Sequence, residues 1–471
     1  MSMLTSGAAE GLPVNFVGFQ QTLSSIVEDL ESQEEEKKMW AIQKLRKLFN
    51  DDVTFLVHAL ESGIVVPILD EILRGEDSFA LKLEAAKAVM DSIPDMMELS
   101  DLVIDSKLVE LLLKLLHFPA EGCHENVCEE AMEKLGIVAL SPVGRDYALE
   151  CRALDGLLEI LNSNKILLLR KATQTILVFS RGKPKAPFEK VKPAIRALRD
   201  LVASNVDQEV LRNACWALYY LSGGIDKNLK GSCTSKKITS HPVVSRSDII
   251  SAVIEEDVFP VLLKLLEHPS PSVVTPAIHF VSSICLGDDS QKEELMKARG
   301  TDGRDVLHYL SGLLDRGKEE RMVCQCIAYI TLGSCPRAKA VFDAAGLIDR
   351  LRHLAETKKM DVAATAIANA IIGISDESYI NELVDCCIGP LCDYLDVFGR
   401  KIICTISLKG LENILEYGEK HKGPDGTNIY SKRIEEAGGL KNLKGMCCSL
   451  TMGLEADKIL CKYWPVYDTS W

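Results

Sequence analysis

Apolar residues recur along the chain at the three- and four-residue spacing of helices that bury one side. The pattern of one short apolar helix occurs eight times along the chain. Each copy is followed by a polar turn and by a second, longer helix. Successive copies end 40 to 48 residues apart, except for one step of 65: VPILDEIL (66–73), VELLLKLL (109–116), LDGLLEIL (154–161), AIRALRDL (194–201), FPVLLKLL (259–266), LHYLSGLL (307–314), LIDRLRHL (347–354) and GPLCDYL (389–395). A period of about 40–47 residues with little strand alternation is typical of stacked helical repeats.

Three segments depart from the repeat. Residues 1–36 are predicted to form an N-terminal tail and a charged helical lead-in, residues 37–466 the repeat array, and residues 467–471 a short tail. The step of 65 contains an insertion near 225–248, which is rich in Ser and Lys and reads as a surface loop. Two interpretations of this loop stay open. It is plain solvated surface, or its Lys236-Lys237 pair competes for a binding groove.

The most informative single helix is predicted within LRNACWALYYLSGG, residues 211–224. Leu211, Cys215 and Leu218 follow a buried helical stripe, and Gly223-Gly224 favours a helix end. Trp216 and Tyr220 are four residues apart, so they lie one turn from each other on a second face. This aromatic pair either packs against a neighbouring helix or is presented to a ligand.

Composition narrows the function classes. Of the 471 residues, 54 are basic and 68 acidic, and the net charge of −14 argues against nucleic acid and anionic membranes as main partners. Without an apolar stretch of the roughly 18 residues that a membrane helix needs, no transmembrane span is predicted. The first residues, MSMLTSGAAEGLPVNF, lack the basic and apolar regions of a secretory signal, and we expect none.

Cysteine and catalytic motifs add little. The 16 cysteines are spread through apolar helical patterns, which indicates buried free thiols in a reducing compartment. Cys123, His124 and Cys128 form the nearest approach to a metal cluster, but no second cluster completes four ligands. The chain contains neither the HExxH motif nor the glycine-rich phosphate-binding motifs. We therefore predict no enzyme activity, no metal and no cofactor.

Five segments resemble the importin-α family, the karyopherin adapters for nuclear import. They follow the family's order: FSRGKPKAPFEKVKPAIRAL (179–198), EVLRNACWALYYLSGG (209–224), HPSPSVVTPAIHFVSSICLGDD (268–289), CIGPLCDYLD with LKGLENILEYGE (387–396 and 408–419) and IYSKRIEEAGGL (429–440). The likeness extends over about residues 37–466. It implies an all-α, right-handed superhelix of about ten armadillo repeats of three helices each, whose third helices line a peptide-binding groove.

In that family, Trp and Asn residues four apart on the third helices form a ladder that holds a nuclear localisation signal. Indole faces attract Lys and Arg, and Asn amides hold the peptide backbone. The resemblance implies a peptide-binding role for Trp216, Tyr220, Asn369 and Asn213. For Asn369, a peptide clamp and an ordinary surface polar residue both stay open. At the remaining positions the sequence departs from the ladder: Lys87, Asp91, Glu133, Ile137, Gln174, Val178, His279, Ser283, Gln325, Tyr329 and Thr365.

The resemblance implies an importin-α-like import adapter in the cytoplasm and nucleus, with altered or weakened recognition of basic signals. Its expected partners are a cargo peptide or protein and nuclear transport receptors, with neither nucleic acid nor membrane among them. Lys37 and Lys38 are the only basic residues among the first 40, so no importin-β-binding segment is predicted. The alternative is an armadillo-repeat interaction scaffold that no longer acts in nuclear import.

Overall fold

A computed structural model describes residues 16–93, 100–118, 124–204, 207–224, 244–358, 360–373, 384, 387–396, 401–447 and 453–464. The described residues up to Leu221, together with Val244, belong to one compact unit. The residues Ser222–Gly224 and the described residues from Ser245 onward belong to a second. Of the predicted loop at 225–248 only the last five residues are described, and there Ser245 already caps a helix. The predicted tail at 467–471 lies outside the described residues.

The first unit contains fourteen described helices. They are α1 (Phe16–Leu30), α2 (Glu35–Asp51), α3 (Val53–Glu61), α4 (Val65–Arg74), α5 (Phe79–Asp91), α6 (Ser100–Asp105), α7 (Leu108–Leu115), α8 (His124–Val138), α9 (Pro142–Glu150), α10 (Ala153–Ile160), α11 (Ile166–Ser180), α12 (Phe188–Val191), α13 (Pro193–Ser204) and α14 (Gln208–Leu221). In the region of the predicted lead-in, α1 is followed by α2, which continues into the predicted array. Helix α1 begins at Phe16, buries Ile26 and Leu30, and packs against α2.

The second unit continues the series among its described residues. Its helices are α15 (Arg246–Glu255), α16 (Phe259–Leu265), α17 (Pro271–Cys285), α18 (Asp289–Lys297), α19 (Val306–Asp315), α20 (Glu320–Thr331), α21 (Cys335–Asp343), α22 (Leu347–Thr357), α23 (Asp361–Gly373), α24 (387–393), α25 (Lys401–Lys420), α26 (Ile429–Glu436), α27 (Gly439–Met446) and α28 (Gly453–Tyr463). A 3-10 turn at Tyr394–Asp396 follows α24. The described chain contains no β-strand beyond one isolated bridge between Arg299 and Asp305.

From α3 to α23 the described helices form successive groups of three, and one backbone feature recurs in them. In several groups the first and second helices meet at a residue in the left-handed conformation, whereas α12 and α13 meet at Lys192, which is right-handed. The left-handed residue is glycine in some groups (Gly63 and Gly346) and a longer residue in others (Lys107 and Arg152). Such a residue stops one helix and lets the next begin at once. The short turns explain how three helices fit into about 40 residues.

The third helices of successive groups pack against one another within each unit. Within the first unit α5 packs against α8, α8 against α11 and α11 against α14. Within the second unit α17 packs against α20, α20 against α23 and α23 against α25. Small residues such as Ala363, Ala364 and Ala366 let α23 approach its neighbours closely. The predicted all-α architecture of stacked repeats is confirmed.

A buried arginine joins two groups of helices in the second unit. Arg337 lies near the start of α21 with only 2% of its surface exposed. Its Nε donates to the carbonyl of Ile330 at 2.8 Å, and one Nη donates to the carbonyl of Leu332 at 3.2 Å, so it caps the end of α20. The Nη atoms also donate to Glu293 at 2.9 Å and Asp289 at 2.7 Å on α18. One side chain therefore fastens three helices.

Two negative findings concern only the described part of the chain. No single described helix is long and apolar enough to cross a membrane, and the pair α3 and α4, bent by 78°, meets that test only jointly and only by length and composition. No described group of three or more His, Cys, Asp or Glu residues is arranged to hold a metal ion. Cys128 is buried, whereas Cys123 lies outside the described residues.

Candidate peptide-binding face

The ladder positions lie on one side of the third helices, because residues four apart on a helix are one turn apart. We call this surface the ladder face of each unit. Most of its side chains are half-buried, while Glu133 and Gln174 are exposed. Ser283 and Asn369 are buried, with 2% and 5% of their surface exposed. In the first unit the face comprises Lys87, Asp91, Glu133, Ile137, Gln174, Val178, Trp216 and Tyr220, and in the second His279, Ser283, Gln325, Tyr329, Thr365 and Asn369.

An aromatic cluster on α14 is the main feature of the first unit's ladder face. The rings of Trp216 and Tyr220 are stacked, with centroids 6.1 Å apart and planes inclined by 25°. Tyr219 completes the cluster and meets the Trp216 ring edge-on at 5.6 Å. All three side chains are half-buried, so part of each ring faces solvent. Tyr219 is not among the residues predicted from the sequence, although its three-residue spacing from Trp216 also places it within reach.

The start of α14 is held by Asp207. This carboxylate accepts hydrogen bonds from the backbone N–H groups of Glu209 and Val210, both at 3.1 Å, and so caps the helix. Arg170 on α11 donates to both of its oxygens, at 3.1 and 2.6 Å. The guanidinium of Arg170, together with these backbone N–H groups, lowers the pKa of Asp207 below its usual value. The cap and the ion pair together fix α14, and with it Trp216, against α11.

Asn213 supports the face from inside the helix packing. It has only 2% of its surface exposed, and its Nδ2 lies 3.5 Å from the carbonyl of Arg170 on α11. Its Oδ1 accepts from Arg212 at 3.3 and 3.2 Å. The structure therefore places Asn213 between α14 and α11, whereas Trp216 and Tyr220 lie at the surface. Sequence spacing alone does not separate these two environments.

The charged residues of the first unit's ladder face pair with oppositely charged residues beside the face. Lys87 donates to Glu84 at 2.9 Å, and Arg46 donates to Asp91 at 2.7 Å. Lys171 donates to Glu133 at 2.9 Å. A cationic peptide that approached these carboxylates would compete with lysines and an arginine already in place.

Glu130 on α8 belongs to the same charged region. Burial, and then the negative charge of Asp91, raise the pKa of the Glu130 carboxyl above its usual value.

Lys185 lies at the opposite end of α14. It reaches from the loop after α11, and its Nζ donates to the backbone carbonyl of Tyr220 at 2.9 Å. A cation at this position complements the partial negative charge of a helix C-terminus. It also places a positive charge beside the aromatic cluster, which disfavours a second cation there.

The ladder face of the second unit is built from uncharged polar groups. Gln325 donates to the hydroxyl of Tyr329 on the same helix at 3.0 Å. Asn369 on α23 donates to the carbonyl of Ala328 on α20 at 2.9 Å, so its amide links two third helices. Ser283 lies 2.5 Å from Ser222 and donates to the carbonyl of Phe280 at 2.7 Å. These bonds fix the positions of side chains that the sequence places along one stripe.

Replacing Asp207 by alanine is expected to lower the free energy of unfolding by about 1–2 kcal/mol at pH 7, because a helix cap and a half-exposed ion pair are lost together. The folded-state pKa is below the unfolded value of about 3.9, so the native carboxylate's contribution is complete above that pH and disappears as the pH falls through the folded pKa. Chemical denaturation at pH 7 and at about pH 3 checks this. The matched control is Asp200→Ala, whose exposed pair with Arg199 predicts little change.

Comparison with known proteins identifies relatives of this chain. Residues 191–223, which include all of α14, match the family described as the Armadillo/beta-catenin-like repeat. The chain is similar to importin subunit alpha-1b of Oryza sativa subsp. japonica, with 34% identity over 94% of this chain and 79% of the relative. It is similar to importin subunit alpha-4 of Arabidopsis thaliana, with 35% identity over 98% of this chain and 82% of the relative. The chain belongs to the importin-α family.

The comparison with solved structures concerns the fold alone. The structure is similar to the crystal structure of an engineered protein, with a TM-score of 0.67 and 22% sequence identity. The match covers 93% of this chain and 98% of the engineered one. The armadillo-repeat fold predicted from the sequence is confirmed, and so is the family. As a member of the importin-α family, the protein is a non-enzymatic adapter or scaffold.

Proposed function

We propose that this importin-α-family protein is an adapter that binds a cargo peptide on the ladder face around Trp216. Its recognition of Lys/Arg-rich signals is weaker than a complete ladder would give. The observation that carries the proposal is the aromatic cluster of α14, which stands beside an α11 whose own ladder positions hold Gln174 and Val178. A single cluster of this kind provides one strong subsite where a full ladder would provide several. The proposed places of action are the cytoplasm and the nucleus.

Weaker recognition of basic signals is expected because the binding energy of several aromatic contacts is lost together. A contact between a cation and an aromatic face contributes about 0.5–2 kcal/mol. Binding at a Kd of 1 µM corresponds to about 8 kcal/mol in total. Replacing aromatic residues on several helices therefore removes a large share of what a basic signal gains from a full ladder. Losing the Asn amides at most positions removes backbone contacts as well.

Local charge acts in the same direction. Asp207 and Glu209 near the start of α14 accept ion pairs from Arg170, and Lys185 lies at the other end of the helix. A cationic peptide at Trp216 thus meets carboxylates that are already neutralised and an additional positive charge. This environment suits a cargo segment with fewer basic residues, whose aliphatic or aromatic side chains stack on the rings.

Asn369 is the proposed backbone clamp of the second unit. Its bond to the carbonyl of Ala328 uses one hydrogen of the Nδ2 group and fixes the orientation of the amide. An asparagine amide has a second donor hydrogen and an acceptor oxygen, which together match the N–H and C=O groups of an extended peptide. The burial of Asn369 restricts this contact to a peptide backbone that comes close to α23.

A direct test uses purified importin-β and a purified export receptor with the immobilised full-length chain. An import adapter is expected to retain at least one of these receptors. Binding of cargo segments without either receptor would instead indicate the second candidate function, an armadillo scaffold outside nuclear import. Lys87, Asp91 and Glu133 are each already paired with a neighbouring charged residue, and this favours the second candidate, because a paired charge is less able to hold a signal.

A further inference from the structure

Three large apolar side chains lie exposed at equivalent places on three neighbouring third helices of the second unit. Leu286 directly follows α17, Leu332 directly follows α20, and Ile372 lies in the last turn of α23. Their exposed fractions are 47%, 50% and 36%. Because α17 packs against α20 and α20 against α23, the three residues form a row that we call the apolar stripe.

The apolar stripe shares a side with the ladder positions. Each of its residues follows the first ladder position of its own helix by seven residues, which is close to two helical turns. The corresponding ladder residues are His279, Gln325 and Thr365. The stripe therefore runs parallel to the ladder positions and borders the same face at its C-terminal edge.

The ladder positions beside the apolar stripe, on α17, α20 and α23, are occupied by residues other than Asp, Glu, Lys and Arg. The nearest charged groups toward the helix starts pair among themselves, since Arg321 donates to Asp361 at 2.9 Å and Lys358 donates to Glu320 at 2.6 Å. Toward the helix ends, the guanidinium of Arg337 already donates to the carbonyl of Ile330 and to Asp289. The carboxylates that follow Leu286 already have partners, since Ser247 donates to Asp288 at 2.6 Å and Arg337 donates to Asp289 at 2.7 Å. A cationic segment would compete with these partners, whereas an apolar segment would bury three side chains.

Spacing indicates the conformation of the occupant. Packed helices lie about 8–10 Å apart, so the residues of the stripe recur at about that interval. A polyproline II segment has three residues per turn and advances about 9 Å in a turn. Residues i, i+3 and i+6 of such a segment project from one side at the interval of the stripe. A fully extended strand, which alternates its side chains with a period of two residues, fits this interval less well.

We propose that the apolar stripe Leu286–Leu332–Ile372 binds an uncharged segment of a partner protein in the polyproline II conformation, with apolar residues at every third position. This proposal rests on the proposed adapter function, because both require that peptides bind at the ladder face. It adds a second site in the other unit, with a different chemistry from the aromatic cluster at Trp216. Each apolar residue of the segment covers one residue of the stripe.

The test uses the full-length chain and a fluorescein-labelled peptide of three Leu-Pro-Ser repeats. The comparison peptides are one of equal composition with its three leucines adjacent and one with lysine in place of each leucine. We expect the repeat peptide to bind at least about tenfold more tightly than either. Leu332→Ser is expected to weaken its binding by about tenfold, the loss that corresponds to uncovering one leucine. The matched control Leu140→Ser, at the equivalent exposed position after α8 in the first unit, is expected to leave binding unchanged.

Several results would overturn the proposal. If the peptide with adjacent leucines bound equally well, the spacing of apolar residues would not determine binding. If Leu332→Ser bound the repeat peptide as well as the unaltered protein does, the peptide would not bind at the apolar stripe. If Trp216→Ala abolished binding of the repeat peptide, the peptide would be bound at the aromatic cluster of the first unit. That result would contradict the proposal for the apolar stripe but would agree with the proposed function. Self-association in sedimentation that Leu332→Ser abolishes would assign the stripe to a second copy of the chain.

Discussion

The double substitution Gln174→Trp/Val178→Asn is expected to increase the affinity for a Lys/Arg-rich signal peptide by about tenfold. Gln174 is exposed on α11, which packs directly against the helix that carries Trp216. An indole at this position creates a slot between two third helices for the stem and charge of a lysine, worth about 0.5–2 kcal/mol. The asparagine adds backbone hydrogen bonds of about 1 kcal/mol. A tenfold change corresponds to about 1.4 kcal/mol, which is close to the lower end of this sum.

Fluorescence anisotropy with a labelled basic peptide measures this gain. Leu454→Trp is the matched control, because it introduces an indole at a side chain that is 79% exposed and stands outside the ladder positions. We expect that control to bind as weakly as the unaltered protein. If the double variant folds normally and gains nothing, the missing indoles are not the reason for weak recognition.

Arg337→Met is expected to lower the free energy of unfolding by about 3 kcal/mol. The substitution keeps an unbranched apolar stem but removes a buried guanidinium that caps α20 and reaches Asp289 and Glu293 on α18. Hydrogen bonds to charged groups contribute about 1.5–3 kcal/mol each, and Asp289 and Glu293 are sufficiently exposed to regain water, which reduces their share. The carbonyls of Ile330 and Leu332 lose their partner within the packing.

Denaturation followed by circular dichroism checks this prediction. Repeat arrays unfold by neighbouring groups, so the transition of the second unit is expected to shift to lower denaturant concentration while the remaining signal stays in place. The matched control is Arg321→Met, whose guanidinium is largely exposed and pairs with Asp361. It is expected to cost less than about 1 kcal/mol. Equal losses in both variants would contradict the assigned role of Arg337.

Much of the fold follows from the spacing of apolar residues. The period of about 40 residues and the rhythm within 211–224 predict stacked helical repeats and the helix that became α14. Hydrophobic burial acts on local sequence patterns of this kind, and each group of helices contacts mainly its neighbours. The break between α1 and α2 is harder to predict because only a short turn separates these helices, and charged residues continue across it.

The site was less predictable because it depends on contacts between distant residues. The pairs of Arg46 with Asp91 and of Lys171 with Glu133 join residues about 40 positions apart, and no local pattern reveals them. The burial of Asn213 is also a tertiary effect, since its neighbour Arg212 is exposed on the same turn. The ladder that the resemblance implies pairs residues four apart, so it does not include Tyr219, which lies three residues after Trp216.

The most direct test of the central claim is a titration of the unaltered full-length protein with a fluorescein-labelled Lys/Arg-rich signal peptide at physiological salt. The degenerate ladder and the internally paired charges of the first unit predict a Kd weaker than about 10 µM, equivalent to less than about 7 kcal/mol of binding free energy. A Kd near 1 µM or tighter would contradict the account, because the one aromatic cluster at Trp216 would then suffice for ordinary recognition of basic signals.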